Sequence, residues 1–186
     1  MSGCQRSRAP GTQSALPFRS MRQQTSWSDQ AARILRWRER VRKSRDEGRT
    51  DALGTEGYRD EVFALFQAIW HFKDWIKSDP RVDNALARSI ESWISSRADF
   101  LKVAADVANG SKHMALSAGR AGDSAQTRND VHILAGAGTG GGVVKHTFYI
   151  TDRRSDSDHE AVALADLCIE EWREFLTENG LEWPNA

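Results

Sequence analysis

Hydrophobic side chains recur at intervals of three and four residues along much of the chain. The clearest run lies in residues 58–77, and its apolar members are Val62, Leu65, Phe66, Ile69, Phe72 and Ile76. These positions share one face of a helix, which predicts an amphipathic helix that packs into the core. Pro80 follows closely and indicates the end of this helix, because proline disfavours a helical residue before it and lacks an amide donor.

Three further segments show helical spacing, namely residues 28–47, 83–108 and 157–179. We predict Ser28 as the N-cap of the first helix, which ends at Gly48. The second segment forms either one helix or two helices separated near residues 95–96. In the last segment Ser157 and Glu160 have the spacing of a capping box, so the helix is predicted to begin there.

Before the last of these helices the spacing changes to that of β-strands. Residues 131–135 and 143–151 are rich in β-branched and aromatic side chains, and they flank the glycine-rich segment 136–142. This arrangement predicts a hairpin. The expected fold class is therefore mainly α, a helical bundle of about four helices with a small two-stranded β-hairpin before the last helix.

The glycine-rich segment contains a literal dinucleotide-binding pattern, Gly136-x-Gly138-x-x-Gly141. That fingerprint needs a helix after the third glycine, because the helix N-terminus faces the pyrophosphate. Here Val143 and Val144 follow and predict a strand. A hairpin loop is therefore the favoured interpretation, and no cofactor is expected.

The first 24 residues contain few large apolar side chains and include Pro10 and Pro17. Such a segment cannot offset the entropy cost of ordering, so we predict a disordered basic tail at residues 1–24 before a single helical domain at residues 25–186.

Net charge is zero, but it is unevenly distributed. Residues 1–50 carry 12 Arg and Lys against 4 Asp and Glu, or +8, and the remaining 136 residues carry 14 against 22, or −8. Two interpretations remain open. The Arg-rich helix at residues 28–47 binds RNA or another nucleic acid, or it packs near the protein's own acidic surface.

The overall composition, 39% hydrophobic and 28% charged, is typical of a globular protein. No apolar run approaches the roughly 20 residues of a membrane span, so no membrane crossing is expected. Cys4 and Cys168 do not indicate a disulfide framework, and the cytoplasm is the expected compartment. Seven tryptophans leave room for an exposed apolar contact surface, and hence for a homodimer.

Two polar clusters interrupt the apolar helices. In the first, Asp74 and Trp75 follow His71 by three and four residues, so the three share a patch roughly opposite the main apolar stripe. Either the His71–Asp74 pair is a surface hydrogen bond that orients a tryptophan, or Asp74 fixes the tautomer of His71 so that its other nitrogen acts as a base or ligand.

The second cluster contains Asp106, Asn109, Lys112 and His113. On a continuous helix Asp106, Asn109 and His113 share one face, whereas a break at Gly110 would place the last two residues of the cluster at the positive end of a new turn. The alternative is that Asn109 satisfies backbone groups at a helix junction. Neither cluster has the ligand spacing of a metal site, so no metal is expected.

The two clusters, the hairpin and the terminal Ile-Glu-Glu-Trp-Arg-Glu-Phe-Leu segment together resemble a group of small bacterial and phage proteins to which no function is assigned. The resemblance covers roughly residues 58–180. It implies one domain and an association with phage or mobile elements.

More distantly, polar residues near the end of a central helix resemble the HEPN domains, several of which are metal-independent ribonucleases of toxin–antitoxin and phage-defence systems. Their signature places an arginine, a polar residue and then a histidine on one helix. Asn109 and His113 match the later positions, but no arginine occupies the first, and Lys112 is the neighbouring cation. The point charge of a lysine does not reproduce the fork of an arginine on a phosphate.

These observations leave two hypotheses about function. The first is a cytoplasmic binding or accessory domain without catalysis, whose polar residues are structural or bind a small anion. The second is an HEPN-like ribonuclease in which His113 acts as base and Lys112 neutralises phosphate. His71 and Asp74 would complete that site beside Asn109. The second hypothesis requires His71 and His113 to approach each other in an open groove.

Overall fold

A computed structural model describes residues 26–48, 54–110, 126–134, 143–152 and 154–184. The elements in these ranges are α1 (Trp27–Glu47), α2 (Gly54–Ser78), α3 (Asn84–Arg97), α4 (Asp99–Gly110), β1 (Gln126–Leu134), β2 (Val143–Asp152), β3 (Ser157–Glu160) and α5 (Ala161–Glu178). The prediction of a mainly helical fold with an antiparallel hairpin before the last helix is confirmed. Residues 1–24, predicted to be a disordered tail, lie outside the described residues.

Helix α1 begins two residues earlier than predicted. The N-cap is Ser26, whose hydroxyl accepts a hydrogen bond from the Asp29 amide at 3.2 Å. The Asp29 carboxylate in turn accepts from the Ser26 amide at 2.7 Å, which completes a capping box. The prediction of Ser28 as N-cap was wrong because two serines stand close together and only one has an acidic residue three positions later.

The predicted helix over residues 83–108 forms two helices, and the break falls at Ala98 rather than near residues 95–96. The backbone of Ala98 leaves the helical region, with φ −109° and ψ 80°. Helix α4 then starts afresh, and its first amides are satisfied by a distant side chain. The carboxylate of Glu171 on α5 accepts from the amides of Phe100 at 3.1 Å and Leu101 at 2.8 Å.

The last helix begins later than predicted, because Ser157–Glu160 forms the strand β3 and not a capping box. Strand β3 pairs antiparallel with β2, so the hairpin is extended to a three-stranded sheet of order β1-β2-β3. Helix α5 then starts at Ala161, and the N-cap is Glu160, which accepts from the Ala163 amide at 3.1 Å. Strand β1 also starts earlier than predicted, at Gln126.

Helix α2 lies at the centre of the fold and contacts α1, α3, α4, α5 and β2. Its Phe72 ring is buried among three indoles, with centroid distances of 5.1 Å to Trp172, 5.3 Å to Trp183 and 6.3 Å to Trp27. The buried indole N–H of Trp172 donates to the carbonyl of Ile69 at 3.1 Å. The aromatic cluster therefore buries large apolar surfaces without leaving this donor unpaired.

The sheet covers the N-terminal half of α2. The Tyr58 ring stacks on His146 of β2 with centroids 5.6 Å apart, and Phe63 meets Phe148 at 5.8 Å. Tyr58, His146 and Phe148 are all buried. None of the described helices combines the length and apolar character that a membrane span requires.

Helices α1 and α2 run antiparallel, and polar side chains set their register. The Gln30 amide donates to the carbonyl of Ala68 at 3.3 Å, and the Ser44 hydroxyl donates to the Glu61 carboxylate at 2.7 Å. As the residue number rises along α1, the partner's number falls along α2. The start of α1 therefore lies beside the end of α2.

Asp79 joins these two helix ends. Its carboxylate, only 2% exposed, accepts from the Trp27 amide at 3.1 Å and from the Arg81 amide at 3.0 Å. The Arg81 guanidinium donates to the same carboxylate at 2.6 Å and 2.9 Å. These hydrogen bonds from Arg81 outweigh the effect of burial and hold the pKa of Asp79 well below its usual value.

We expect Asp79→Asn to lower the free energy of unfolding by about 1 to 3 kcal/mol, because it removes charge-assisted hydrogen bonds from a buried position. Urea unfolding at neutral pH measures the change. The matched control is Asp60→Asn on the exposed side of α2, expected to change stability by less than about 0.5 kcal/mol. A carboxylate with a lowered pKa stabilises above its unfolded pKa, so the deficit should shrink as the pH falls below the usual Asp range. Equal effects of the two variants would contradict the assignment.

Glu171 gives a second, oppositely signed pH dependence. Burial raises its pKa to about 7, and the amides of Phe100 and Leu101 offset this only in part. The folded protein therefore binds the Glu171 proton more tightly than the unfolded chain does, and this contribution to stability is lost as the pH rises from about 5 to about 8. We expect the free energy of unfolding to fall over this interval by about 1 to 2 kcal/mol more in the wild type than in Glu171→Gln, allowing for partial exposure of the carboxyl group. A difference in the free energy of unfolding between the wild type and Glu171→Gln that does not change with pH would contradict the raised pKa of Glu171.

Candidate functional site

The first polar cluster is divided between two roles. His71 and Asp74 are both partly exposed, and His71 Nδ1 lies 3.1 Å from Asp74 Oδ2. A carboxylate at Nδ1 keeps a proton there, so the neutral ring carries its lone pair on Nε2. Burial of Asp74 opposes ionisation, but hydrogen bonds from His71 and Lys73 outweigh it and lower the pKa of Asp74. The pair therefore fixes the orientation of the imidazole.

Lys73 belongs to the link between α2 and α3. Its buried ammonium group lies 4.7 Å from the centroid of the Trp70 ring and donates to Asp74 at 3.1 Å and to Glu91 at 3.0 Å. Burial raises the pKa of Glu91, but hydrogen bonds from Lys77 and Lys73 reverse this and bring it to about 2. Lys73 and Lys77 of α2 therefore hold α3 through Glu91.

His71 and Trp75 instead face an open groove between α1 and α2. Two adjoining cavities of about 320 and 350 Å³ share Arg33 and Trp37 as lining residues. We refer to them together as the α1–α2 groove. Its described lining residues are Gln30, Arg33, Arg36, Trp37 and Arg40 from α1, and Ala64, Gln67, Ala68, His71 and Trp75 from α2.

Helical geometry explains why these residues line one surface. On α2 the groove residues begin at Ala64 and recur at intervals of three and four residues up to Trp75, so they form a second stripe beside the buried apolar one. The Gln30–Ala68 hydrogen bond holds α1 against the edge of this stripe. His71 consequently lies at the border between the two helices and not on an isolated polar face.

The positive charge of α1 is divided between internal ion pairs and the groove. Arg38 forms a bidentate pair with Asp166 at 2.8 and 2.9 Å, and Arg45 reaches Glu160 at 2.9 Å. These contacts confirm that the helix packs near the protein's own acidic surface. Arg33 and Arg36, by contrast, are exposed and form no ion pair with any residue in the described ranges.

Arg40 has an intermediate position. Its Nε donates to Glu61 at 2.8 Å, while its side chain remains 63% exposed and its guanidinium carbon lies 5.5 Å from the centroid of the Trp37 ring. No Asp or Glu is among the described residues that line the two cavities. The α1–α2 groove therefore combines three arginines with two partly buried indoles.

The second polar cluster is only partly described. Asp106 is buried in α4, and Asn109 is half-buried near the end of that helix. Lys112 and His113 lie outside the described residues. The described lining of the α1–α2 groove comes from α1 and α2, so Asn109 on α4 does not belong to it. Whether His71 and His113 approach each other stays a prediction.

Sequence reasoning identified His71, Asp74 and Trp75 but missed Arg33 and Trp37. The four-residue spacing of Arg33 and Trp37 within an arginine-rich helix was the available signal. This signal could not be used, because the sequence does not show which arginines form ion pairs with distant acidic residues. Arg38, for example, pairs with Asp166, which is more than 100 positions away.

Among the described residues, no three His, Cys, Asp or Glu side chains come together in an arrangement that could hold an ion. Cys168 is buried, and its thiol donates to the carbonyl of Phe100 at 3.4 Å.

Comparison with known proteins does not assign this chain to a family. It matches no protein-family model, and neither the curated proteins nor the solved structures contain a significant match. The chemistry of the α1–α2 groove is therefore the basis on which a function can be argued.

Proposed function

We propose that this chain is a binding domain without catalytic activity of its own, and that it binds nucleic acid at the α1–α2 groove. One observation carries the proposal. Arg33, Arg36 and Arg40 line one open surface whose described residues include no Asp or Glu. Such a surface attracts a polyanion, because Arg33 and Arg36 form no ion pair with a described carboxylate, although Arg40 is paired with Glu61.

The residue type favours phosphate as the anionic group. A guanidinium presents planar donors that match two phosphate oxygens, whereas an ammonium acts as a point charge. Each phosphate that Arg33 or Arg36 neutralises also releases condensed counterions, which contributes entropy to binding. Arginines at successive turns of α1 repeat every few ångströms along the groove, as the phosphates of a nucleic acid do.

Two sequence-based expectations accompany this proposal. The cytoplasm, where nucleic acid is abundant, is the expected compartment, and the association with phage or mobile elements rests on the sequence resemblance. A homodimer is compatible with the proposal where its interface leaves the α1–α2 groove open.

The proposal predicts a charge effect that depends on position. We expect Arg33→Gln/Arg36→Gln to weaken binding of a labelled oligouridine of about 12 nucleotides at least tenfold at low salt. The slope of log K against log salt should fall by about 1.4, since each phosphate contact to a single strand contributes about 0.7. Fluorescence anisotropy across a salt series measures both quantities.

The matched control is Arg42→Gln/Lys43→Gln. It also removes two positive charges from α1, but at residues that form ion pairs with Glu39, Asp46 and Glu47 on the same helix. Binding by this control should stay within about twofold of the wild type. Equal loss in both double variants would show that net charge and not the groove is responsible. A wild-type protein that does not bind at low salt would remove the proposal.

The same mixtures test the ribonuclease hypothesis. After prolonged incubation without metal ions, we expect denaturing gels to show intact RNA with both the wild type and His113→Ala. Cleavage by the wild type that His113→Ala abolishes would contradict a purely binding role. It would instead support catalysis by the second polar cluster.

A further inference from the structure

We infer that the α1–α2 groove selects single-stranded over double-stranded nucleic acid, with unpaired bases stacked on Trp37 and Trp75. This inference rests on the proposed function and specifies its ligand class. Both indoles are partly buried and line the same cavity of about 320 Å³, one from each helix. Cavities of that size are in the range that accepts small planar groups.

The antiparallel arrangement aims the two indoles toward each other. The Gln30–Ala68 and Ser44–Glu61 hydrogen bonds place Trp37 between the levels of Glu61 and Ala68 on α2, and Trp75 lies farther along that helix. Each side chain on a helix leans toward the N-terminus of that helix. Because α1 and α2 run in opposite directions, the two rings lean from the two ends of the cavity toward its middle.

The spacing suits separate bases. Trp75 lies 7 to 14 residues beyond the level of Trp37, which corresponds to roughly 10 to 21 Å along α2 at about 1.5 Å per residue. This exceeds the rise of about 3.4 Å between stacked bases of one strand. A strand that crosses the groove can therefore place one base on each indole.

Polar side chains also line this cavity. His71 and Gln67 face it from α2, and Asp74 holds the imidazole in one orientation. The Arg40 guanidinium lies over the Trp37 ring and adds a positive charge beside the part of the indole that lines the cavity. Base stacking on an aromatic ring tolerates any sequence, since every base has a π face.

A duplex does not fit these features. Its bases are already stacked on one another and its edges are paired, so the indole faces can contact only its backbone. Arg33 and Arg36 would still meet phosphates, which is why a duplex should bind weakly and not be excluded altogether. The two tryptophans thus provide selectivity, and the arginines provide attraction to any phosphate chain.

The test compares four ligands of similar charge, namely oligouridine, oligothymidine, an RNA duplex and inorganic polyphosphate. We expect Trp75→Leu to weaken binding of both single strands fivefold to a hundredfold, as loss of one stacked base requires, and to change duplex and polyphosphate binding by less than about twofold. Trp75→Phe should retain most of the single-strand affinity because it keeps an aromatic face. Trp37→Leu should act like Trp75→Leu.

Trp93→Leu is the matched control. Trp93 is a partly buried tryptophan of α3 whose indole N–H donates to Glu178 on α5, away from the groove. This variant should bind all four ligands as the wild type does. Circular dichroism and urea unfolding of each variant separate a lost contact from a lost fold.

Outcomes that overturn this inference differ from those that overturn the proposed function. If binding depends on Arg33 and Arg36 but Trp37→Leu and Trp75→Leu leave single-strand affinity unchanged, the stacking inference is wrong and the polyanion groove stands. If Trp75→Leu loses the same affinity for polyphosphate as for oligouridine, the stacking inference is also wrong and the polyanion groove stands. If the wild type binds none of the four ligands, the proposed function itself is wrong.

Discussion

The fold depends on the burial of α2 on most of its circumference. Four helices and β2 contact this helix, and its Phe72 ring is enclosed by three indoles. A helix covered in this way contributes most of its free energy through apolar area removed from water, and each neighbour is placed by the side chains that it must cover. The α1–α2 groove is a by-product of this arrangement. It occurs where α1 covers one edge of α2 and leaves the adjacent stripe partly open.

Ion pairs between α1 and the rest of the protein set the rotation of α1 about its axis. The pairs Arg38–Asp166 and Arg45–Glu160 are partly exposed, so each contributes little to stability alone. They nevertheless fix which side of α1 meets α5 and the sheet. Rotation of α1 about its axis would break them and turn Arg33 away from α2. A modest set of ion pairs therefore decides which cations remain available for a ligand.

The helical elements could be read from sequence because they rest on local periodicity, as the stripe from Val62 to Ile76 illustrates. Elements set by distant partners could not. Ser157–Glu160 carries a good local signal for a helix start, yet pairing with β2 makes it a strand. The break at Ala98 depends on Glu171, some 70 positions away, and no local pattern reveals it. The same limit applies to the candidate site. His71 and Asp74 were visible in the sequence as an i, i+3 pair, whereas Trp37 belongs to the site only because α1 packs against α2.

Helix α5 has a consequence for how this chain is made. The indole of Trp172 donates a hydrogen bond to the carbonyl of Ile69, which is 103 residues earlier in the chain. Asp166 forms an ion pair with Arg38, which is 128 residues earlier. Contacts of such long sequence separation form late, since a large loop entropy must be overcome first. During synthesis, which proceeds from the N-terminus, Phe72 and Ile69 are therefore exposed until α5 has emerged. Throughout that interval the unfinished chain presents an aromatic surface to chaperones and to other nascent chains, and the rate at which α5 docks determines how long it remains open to aggregation.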